Sequence, residues 1–530
     1  MRKMNKRALL GFLILLLGLS ACKQDRPQSP DAVSLSSFQD LVTPAYIVNS
    51  DSIREHIRTR VLAFKDRAAQ DSVITAHYWE KGAFFWLGEE LSLRADSLLY
   101  WLDNASLHGL EPETFGASAL RDNLYRLHSL QLKPGESINR LLADLEYQLT
   151  VSYLAYVSGL SYGFLSPAEI LNNLEEDDSQ TIANPTAASD EKKKMKELYA
   201  IRLKRCDKRV ALNMLVALQQ NPFAALRQAQ PTSAYYLKLQ EELHRLNTLG
   251  DTDSITIDKN RVRVNLERAR WQYAQDRGEK YVFVNVASFM LRAVNEETDS
   301  ILEMRICCGS TKHKTPLLSS RIYYMELNPF WNVPQNIILK EVIPAYRRDT
   351  TYFTKNRMKV YDREGNQLNP HSIKWSKYTT GVPFMVKQDN KEGNSLGRII
   401  FRFPNTFDVY LHDTPSRWAF TKANRAVSHG CVRLEKALDF AFFLLPESDE
   451  LLEDRIRIAM DIAPQSEAGK KMRRSEAYRE LKHYSLKSYI PVYLDYQTIY
   501  LNTDGTLGIY DDVYHYDAPL LAALTELNYK

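Results

Sequence analysis

The spacing of the apolar residues changes near residue 252 of this 530-residue chain. Before it, stretches such as WLGEELSLRADSLLYWLDNA (86–105) and INRLLADLEYQLTVSYLAYVSGL (138–160) repeat apolar residues every three or four positions. This spacing indicates amphipathic helices, and the richer second stretch indicates a central buried helix. After it, runs such as ITIDKNRVRVNLERARW, KYVFVNVASFMLRAV and SILEMRICCG favour short strands. The sequence therefore predicts an α+β protein, a helical N-terminal domain at 40–250 followed by a mainly β domain.

The first residues, MRKMNKRALLGFLILLLGLSAC, have the order of an export signal. Four positive charges precede an apolar run from Ala8 to Leu19, which is shorter than the ~20 residues that a membrane-spanning helix needs. Leu19-Ser20-Ala21-Cys22 resembles the lipobox of bacterial lipoproteins. The resemblance implies a signal peptide at 1–21, a lipid on Cys22 and a tether at 22–39, so we expect a periplasmic, lipid-anchored protein. An ordinary signal peptide with an incidental cysteine is the alternative, and Lys23 after the cysteine favours the outer membrane.

The charge balance gives no reason to expect a nucleic-acid partner. The formal net charge is +4, and residues 1–21 carry four positive charges and no negative ones. The remainder of the chain is therefore close to neutral.

The cysteines other than Cys22 and Cys431 suggest neither a disulfide framework nor a zinc site. Cys307 and Cys308 are adjacent in an apolar stretch, so on a strand they point to opposite faces. We expect both, and Cys206, to be buried and inert. No Cys/His spacing suggests a metal, and no cofactor is predicted.

The stretch YLHDTPSRWAFTKANRAVSHGCVR (410–433) gathers the residues of a candidate thiol site. His412 ends the apolar run IIFRFPNTFDVYL, which predicts one strand, and Cys431 follows 19 residues later, shortly before the predicted helix KALDFAFFLL (436–445). A thiol attacks as its thiolate, so it needs a base nearby, and a loop that enters a helix offers free N–H groups for an oxyanion. A buried cysteine beside a satisfied histidine is the structural alternative.

The order of these residues resembles the active-site signature of the L,D-transpeptidase family: a histidine, a gap, then Ser/Thr-His-Gly-Cys, a hydrophobic residue, and Asn or Arg. The stretches NLERARW (265–271), NPFWNVP (328–334), GNSLG (393–397) and FPN (403–405) are also similar to large periplasmic members. The resemblance implies a helical scaffold domain at 40–250, a catalytic domain at 251–465 with a capping insertion at about 336–395, and a C-terminal segment at 466–530 with a β-hairpin around Asp504-Gly505. Residues 246–265 leave no room for the wall-binding module usual in large members.

The same resemblance implies roles for the residues that react. Cys431 would be the nucleophile, His412 its general base, and the backbone carbonyl of Asp413 would hold the His412 ring. The N–H groups of Gly430 and Cys431 would form the oxyanion hole, on a loop shaped by Ser428 and His429.

Four further residues are predicted to meet the substrate. Arg433 would bind a substrate carboxylate through its planar guanidinium. Tyr410 and Trp331 would line the donor groove, with core packing as the alternative for both. Arg425 would contact substrate or, equally, form a structural ion pair.

The implied reaction is acyl transfer. Cys431 attacks the carbonyl of the third residue of a tetrapeptide stem, releases D-Ala, and passes the acyl group to the amine of a second stem, so third residues become cross-linked. Carbapenems would acylate the same cysteine. With water as acceptor the site is an L,D-carboxypeptidase, and with a free D-amino acid it exchanges the terminal residue. An inactive lipid-anchored wall-binding scaffold is the non-enzymatic alternative, while a papain-like hydrolase would place its cysteine before its histidine. The expected partners are peptidoglycan stem peptides, a membrane, and other wall-synthesis proteins.

Overall fold

The computed structural model describes residues 44–63, 69–80, 82–88, 90–174, 198–249, 258–446 and 449–529. The predicted signal peptide, the tether and Cys22 lie outside the described residues. The described residues form two compact units, one from those up to 161 with 206–230 and 527–529, the other from those in 162–205 and 231–526. Of the described helices, none combines the length and the apolar character that crossing a membrane requires.

The first unit is helical, in line with the predicted fold class. Its helices are α1 (Ser50–Ala63), α2 (Ala69–Trp79), α3 (Leu91–Asp103), α4 (Ala117–His128), α5 (Ile138–Tyr162, which ends in the second unit), α7 (Lys208–Gln220) and α8 (Pro222–Gln228). Nearly every residue of α5 is buried, which confirms the prediction of a central helix.

A buried carboxylate on α5 fastens the chain that follows α2. Glu146 is fully buried and accepts hydrogen bonds from the backbone N–H groups of Phe85 (2.6 Å), Trp86 (3.0 Å) and Leu87 (3.0 Å). The Tyr78 hydroxyl donates a fourth at 2.7 Å. Burial raises the pKa of Glu146, and these four donors oppose that rise by stabilising the charged form.

The second unit is built on β-strands. They are β1 (Tyr199–Ala200), β2 (Lys280–Asn285), β3 (Met290–Asn295), β4 (Ser300–Gly309), β5 (Leu317–Leu327), β6 (Trp331–Asn332), β7 (Met358–Tyr361), β8 (Gln367–Leu368), β9 (Met385–Gln388), β10 (Ile399–Arg402), β11 (Leu411–His412), β12 (Ala426–Ser428), β13 (Val432–Leu434), β14 (His483–Asp495), β15 (Ile499–Leu501) and β16 (Leu507–Ile509). Eight of the described strands pair in a closed circle, β5-β10-β11-β13-β4-β3-β2-β14 and back to β5. Such closure makes a barrel whose strands alternate inward and outward residues.

The helices of the second unit are α6 (Pro167–Leu171), α9 (Ala234–Leu249), α10 (Lys259–Arg270), α11 (Gln335–Ile337), α12 (Ile343–Arg348), α13 (Tyr352–Lys355), α14 (Ala437–Leu444), α15 (Glu450–Ala459), α16 (Glu467–Arg474) and α17 (Asp517–Thr525). Helix α14 confirms the helix predicted at 436–445. Strands β15 and β16 pair antiparallel around the Asp504-Gly505 turn, as predicted.

Helix α10 corrects one prediction, because its sequence was interpreted as β-rich. The alternation of Val262, Arg263 and Val264 suggested a strand, yet Val262 and Leu266 also lie one helical turn apart. Both are buried in one apolar cluster with residues of α9. The Asp258 side chain caps the helix by accepting from the Asn260 N–H at 3.0 Å.

The NLERARW motif on α10 acts as a structural clamp. Glu267, fully buried, accepts from the Phe164 N–H at 2.7 Å and pairs with Arg270 at 2.9 Å. Arg268 pairs with Asp517 of α17 at 2.6 Å. These bonds join three parts of the second unit that are distant in sequence.

The predicted insertion has a core of its own. Strands β6, β9, β7 and β8 form a separate sheet, in which Trp331 pairs with Gln388 at its base. A π-helical turn (Ile338–Val342) and helices α11 to α13 pack with it. The fully or almost fully buried members of this core are Ile338, Val342, Ile343, Phe353, Val360, Trp375 and Val386.

Replacing Glu267 by alanine is expected to destabilise the second unit strongly. The change leaves the fully buried Arg270 without its carboxylate, and breaking such a pair costs about 3–5 kcal/mol. The free energy of unfolding, measured by urea denaturation followed by circular dichroism, should fall by that amount. Glu297→Ala, at an exposed position, is the matched control and should change it by less than about 0.5 kcal/mol. Equal losses in the two variants would contradict the clamp.

Candidate active site

The parallel pairing of β11 with β13 assembles the predicted site. Leu411 lies opposite Val432, and both are fully buried inside the barrel. His412 lies opposite Arg433. Because side chains alternate along a strand, four polar residues share the outer face: Tyr410, His412, Cys431 and Arg433.

The strand predicted over IIFRFPNTFDVYL is two strands, β10 and β11, which pair antiparallel. Asn405 breaks the run between them. Its Oδ1 accepts from the N–H groups of Phe407 (3.0 Å) and Val409 (3.1 Å), and its amide donates to the Val409 carbonyl at 2.8 Å. This turn chemistry competes with strand formation in a run that is otherwise apolar.

Cys431 stands before a strand rather than before a helix, which corrects the predicted local setting. The Val432 N–H donates to the Tyr410 carbonyl at 3.1 Å, and helix α14 begins only at Ala437. Helix N–H groups are therefore not the neighbours of this thiol, and an oxyanion hole must come from the loop itself.

The loop before Cys431 is held by its own side chains and by Thr315. The Ser428 hydroxyl donates to the Cys431 carbonyl at 2.6 Å and accepts from the Gly430 N–H at 3.1 Å. The Thr315 hydroxyl donates to the Gly430 carbonyl at 2.8 Å. Gly430 has φ of +119°, a conformation that favours glycine. The Gly430 N–H must exchange its bond to Ser428 if it is to stabilise an oxyanion.

The surroundings of His412 suit a neutral base. Its Nδ1 lies 2.5 Å from the backbone carbonyl of Asp413, so Nδ1–H donates and Nε2 is left to accept a proton. Only 4% of His412 is exposed. Burial above all, with the positive charge of Arg433, lowers the pKa of His412 to about 4. The imidazole is therefore uncharged at neutral pH.

The Cys431 thiol is protonated in the resting site. Burial raises its pKa to about 11, while hydrogen bonding with Tyr410 and the charges of Arg402 and Arg433 act in the opposite direction. The S–H donates to the Asp408 carbonyl at 3.7 Å. A thiol and a neutral imidazole thus share the face, and attack on a carbonyl requires the proton to move from one to the other.

His429 contacts the insertion. Its Nε2 bonds with Oε1 of Glu341, in the π-helical turn, and its ring lies 4.8 Å from that of His313. The interaction connects the loop before Cys431 to the insertion, a link that no local sequence pattern indicated.

Arg433 has spare hydrogen-bonding capacity on the face that it shares with Cys431 and His412. Its Nε is buried and has no hydrogen-bond partner among the described residues. Burial lowers its pKa from an ordinary arginine value, but the group stays charged. A charged guanidinium in this state is suited to a carboxylate brought by a substrate.

Arg425 has structural contacts instead. It donates to the backbone carbonyls of Ile306 (3.1 Å), Lys422 (2.8 Å) and Phe289 (3.2 Å). The bonds to Ile306 and Phe289 tie the segment before β12 to the barrel. Among the described residues, the hydrogen-bond partners of Arg425 are carbonyls and not the carboxylate that the predicted ion pair requires.

Tyr410 and Trp331 lie in different surroundings. The Tyr410 ring is edge-on to His412, 5.7 Å between centroids, and the Arg402 guanidinium lies 4.8 Å above it. Trp331 is half-buried and packs against the core of the insertion. Tyr410 therefore belongs to the thiol site, while Trp331 stands where the insertion begins.

The remaining cysteines differ in exposure. Cys307 and Cys308 are fully buried, as expected, and burial raises the pKa of each thiol. Cys206 is only partly buried, so that part of the expectation was wrong, because it lies just before α7 rather than inside a core element. Within the described ranges, no group of three or more His, Cys, Asp or Glu side chains is arranged to hold a metal.

The raised pKa predicts how alkylation of Cys431 depends on pH. Since the pKa is about 11, the thiolate fraction is small at neutral pH and grows about tenfold per pH unit below the pKa. The rate of iodoacetamide labelling, followed by intact mass, should therefore rise about tenfold per unit from pH 7 to 9.5. A Cys22→Ser, Cys206→Ser background removes Cys22, which lies outside the described residues, and the other partly exposed thiol of the described residues.

Labelling in this background should vanish when Cys431→Ala is added. A labelling rate that does not change with pH above 7 would mean that the Cys431 thiol is already ionised. That result would contradict a resting site with a protonated thiol and a neutral imidazole.

Comparison with known proteins agrees with this geometry. Residues 279–457 match the family model of the L,D-transpeptidase catalytic domain, and residues 72–243 match that of the Scaffold domain. A Haemophilus influenzae protein named "Putative L,D-transpeptidase" is 32% identical over 248 residues, 47% of this chain and 46% of that protein. The chain thus aligns with about half the length of this relative.

A solved structure, an L,D-transpeptidase from Mycobacterium smegmatis, is 16% identical over 31% of this chain and 53% of its own, with a TM-score of 0.18. The Scaffold match covers most of the helical region, and the catalytic match covers the insertion and the barrel strands from β2 to β13 but not β14. Residues 279–457 therefore carry an L,D-transpeptidase catalytic domain, which a Scaffold domain at 72–243 precedes.

Proposed function

We propose that this protein is a peptidoglycan L,D-transpeptidase, which links the third residues of two stem peptides through a thioester on Cys431. The observation that carries the proposal is the common outer face of β11 and β13, where a protonated thiol, a neutral imidazole and a guanidinium lie together. The Nε of this guanidinium has no hydrogen-bond partner in the described part of the chain.

In the first step, the Cys431 sulfur attacks the carbonyl carbon of the third, diamino-acid residue. The thiol proton passes to Nε2 of His412, and the imidazolium that forms is stabilised by the Asp413 carbonyl at Nδ1. The tetrahedral oxyanion is stabilised by N–H groups of the loop, and the C–N bond then breaks. D-Ala leaves with the proton from His412, and a thioester remains.

In the second step, the side-chain amine of another stem attacks the thioester carbonyl. His412, again neutral, accepts the amine proton and returns a proton to the sulfur as the C–S bond breaks. The products are an amide cross-link and the free Cys431 thiol. Arg433 would hold a carboxylate of the stem, since its Nε has no other partner among the described residues.

Other acceptors use the same first step. Water in place of the amine gives an L,D-carboxypeptidase, and a free D-amino acid gives exchange. The pairing of thiol and base favours an enzyme over an inactive wall-binding scaffold, because a scaffold needs neither the tautomer held by Asp413 nor a buried guanidinium with an unused donor.

Acylation by a carbapenem tests the nucleophile and the base. The full chain in detergent, incubated with meropenem, should gain the mass of one adduct. Cys431→Ala should gain none, and His412→Ala should react about 10²–10⁴-fold more slowly, the usual contribution of a general base. A wild-type chain without any adduct would overturn the proposed function.

Purified disaccharide tetrapeptides then identify the acceptor. Cross-linked dimers in the product mixture support the transpeptidase, whereas tripeptides alone would assign the carboxypeptidase.

A lipid anchor on Cys22 is a separate part of the proposal. It is supported by the order of charges, apolar residues, small residues and cysteine in residues 1–22. In cells fed a clickable fatty acid, the chain should carry the label and sediment with outer membranes. Cys22→Ser should lose both the label and the sedimentation, and Cys206→Ser is the matched control that keeps both. Labelling that survives Cys22→Ser would refute the anchor.

A further inference from the structure

A groove of about 520 Å³ lies on the barrel beside the paired ends of β5 and β14. Its lining includes Tyr324, Glu326, Asn328, Phe330, Asn390 and Glu480. Its volume falls within the ~300–1,000 Å³ of sites that enclose small ligands. The groove residues between 480 and 485 lie beyond 457, where the match to the catalytic-domain model ends. The family match therefore assigns no function to these residues.

The groove and the thiol site share the outer face of the barrel. Glu326 of β5 lies opposite His483 on one side and opposite Ile400 on the other, and Ile400 lies opposite His412. Residues opposite one another in a sheet point to the same face. Arg402 bridges the two places, since it pairs with Glu326 at 3.0 Å and its guanidinium covers the Tyr410 ring.

The charges around the groove balance one another. Glu326 pairs with Arg402 at 3.0 Å, and the lining holds both Glu480 and Lys482. The Asn328 amide donates to Glu480 at 2.9 Å, while its oxygen accepts from Arg398 at 3.0 Å. Since charges of both signs are present in similar number, the groove gives no net attraction to a strongly charged ligand and favours a neutral ligand that forms many hydrogen bonds.

The Phe330 ring is exposed to solvent among these polar groups. Phe330 is 57% exposed although it is a large apolar side chain, and Tyr324 lies in the same lining. Amide and carboxylate groups around an exposed ring match a sugar, which presents C–H bonds to the ring and hydroxyl groups to planar side chains.

We infer that this groove binds a saccharide segment of the glycan strand that carries the donor stem. The inference rests on the proposed function, because it assumes that a stem peptide is acylated at Cys431. In the order β5-β10-β11-β13, strand β13 is the third neighbour of β5. At ~4.8 Å between neighbouring strands, the distance from β5 to β13 is about 14 Å. Three extended residues span about 10 Å, and the link to the sugar adds a few more. A stem laid across these strands from Cys431 therefore places its sugar in the groove.

Such a site also suits the short connection between α9, which ends at Leu249, and α10, which begins at Lys259. This interval is too short for the wall-binding module that large members usually carry there. Recognition of the glycan would then be supplied by the catalytic domain and the C-terminal segment together.

The test measures sugar binding without any peptide. The full chain in detergent is titrated with the tetramer of N-acetylglucosamine, which carries the hydroxyl and N-acetyl groups of a wall glycan. The wild type should bind it, and Phe330→Ala should weaken binding at least tenfold. Tyr125→Ala, a matched aromatic that is 63% exposed on the helical unit, should bind as the wild type does.

Meropenem acylation of the same variants separates this inference from the proposed function. Phe330→Ala should acylate within twofold of the wild-type rate, which shows that the variant is folded and the thiol intact. It should also lose the wild type's preference for a disaccharide tetrapeptide over the free tetrapeptide. No tetramer binding by a wild type that acylates normally, or equal binding by Phe330→Ala, would overturn the inference. Loss of acylation in the wild type would instead count against the proposed function.

Discussion

The two-residue parallel pairing between β11 and β13 is the constraint on which the whole site depends. A slip of one residue would turn His412 into the barrel and Leu411 out of it, since side chains alternate along a strand. The burial of Leu411 and Val432 in the barrel opposes that slip, so core packing fixes the register of the polar residues. Closure of the barrel through β14 and β5 then leaves the face that carries Cys431 and His412 on the outer side of the sheet.

Much of the fold could be predicted because many of its elements follow from the spacing of apolar residues within a short segment. The long helix α5, helix α14 and the β15–β16 hairpin each follow from spacing or turn chemistry within a few residues. The errors arose where one pattern fits two structures. In α10, Val262 and Val264 alternate as in a strand, and only the helical partner Leu266 and the clamp at Glu267 decide between them. Between β10 and β11 the side chain of Asn405 ends a strand that hydrophobicity alone would continue.

For the site, the motif predicted which residues stand together, and the fold supplied what sets their chemistry. Burial and nearby charges determine the pKa values of His412 and Cys431, and burial is a property of the closed barrel rather than of any short segment. Several neighbours come from distant segments: Arg402 above Tyr410, Thr315 beneath Gly430 and Glu341 against His429. A single sequence carries no signal that brings these residues to one place.

The electrostatics also separate activation from recognition. The charge of Arg433 lowers the pKa of His412 and also lowers that of Cys431. Proton transfer from the thiol to the imidazole creates a negative thiolate and a positive imidazolium. The positive charge of Arg433 stabilises the thiolate and destabilises the imidazolium. The two effects oppose each other, and the energy of the transfer depends only weakly on whether a substrate carboxylate has neutralised the guanidinium. Arg433 is therefore suited to hold the substrate, while the Asp413 carbonyl at Nδ1 and Tyr410 at the sulfur, each of which favours the charged form of its own partner, are the groups that promote the transfer.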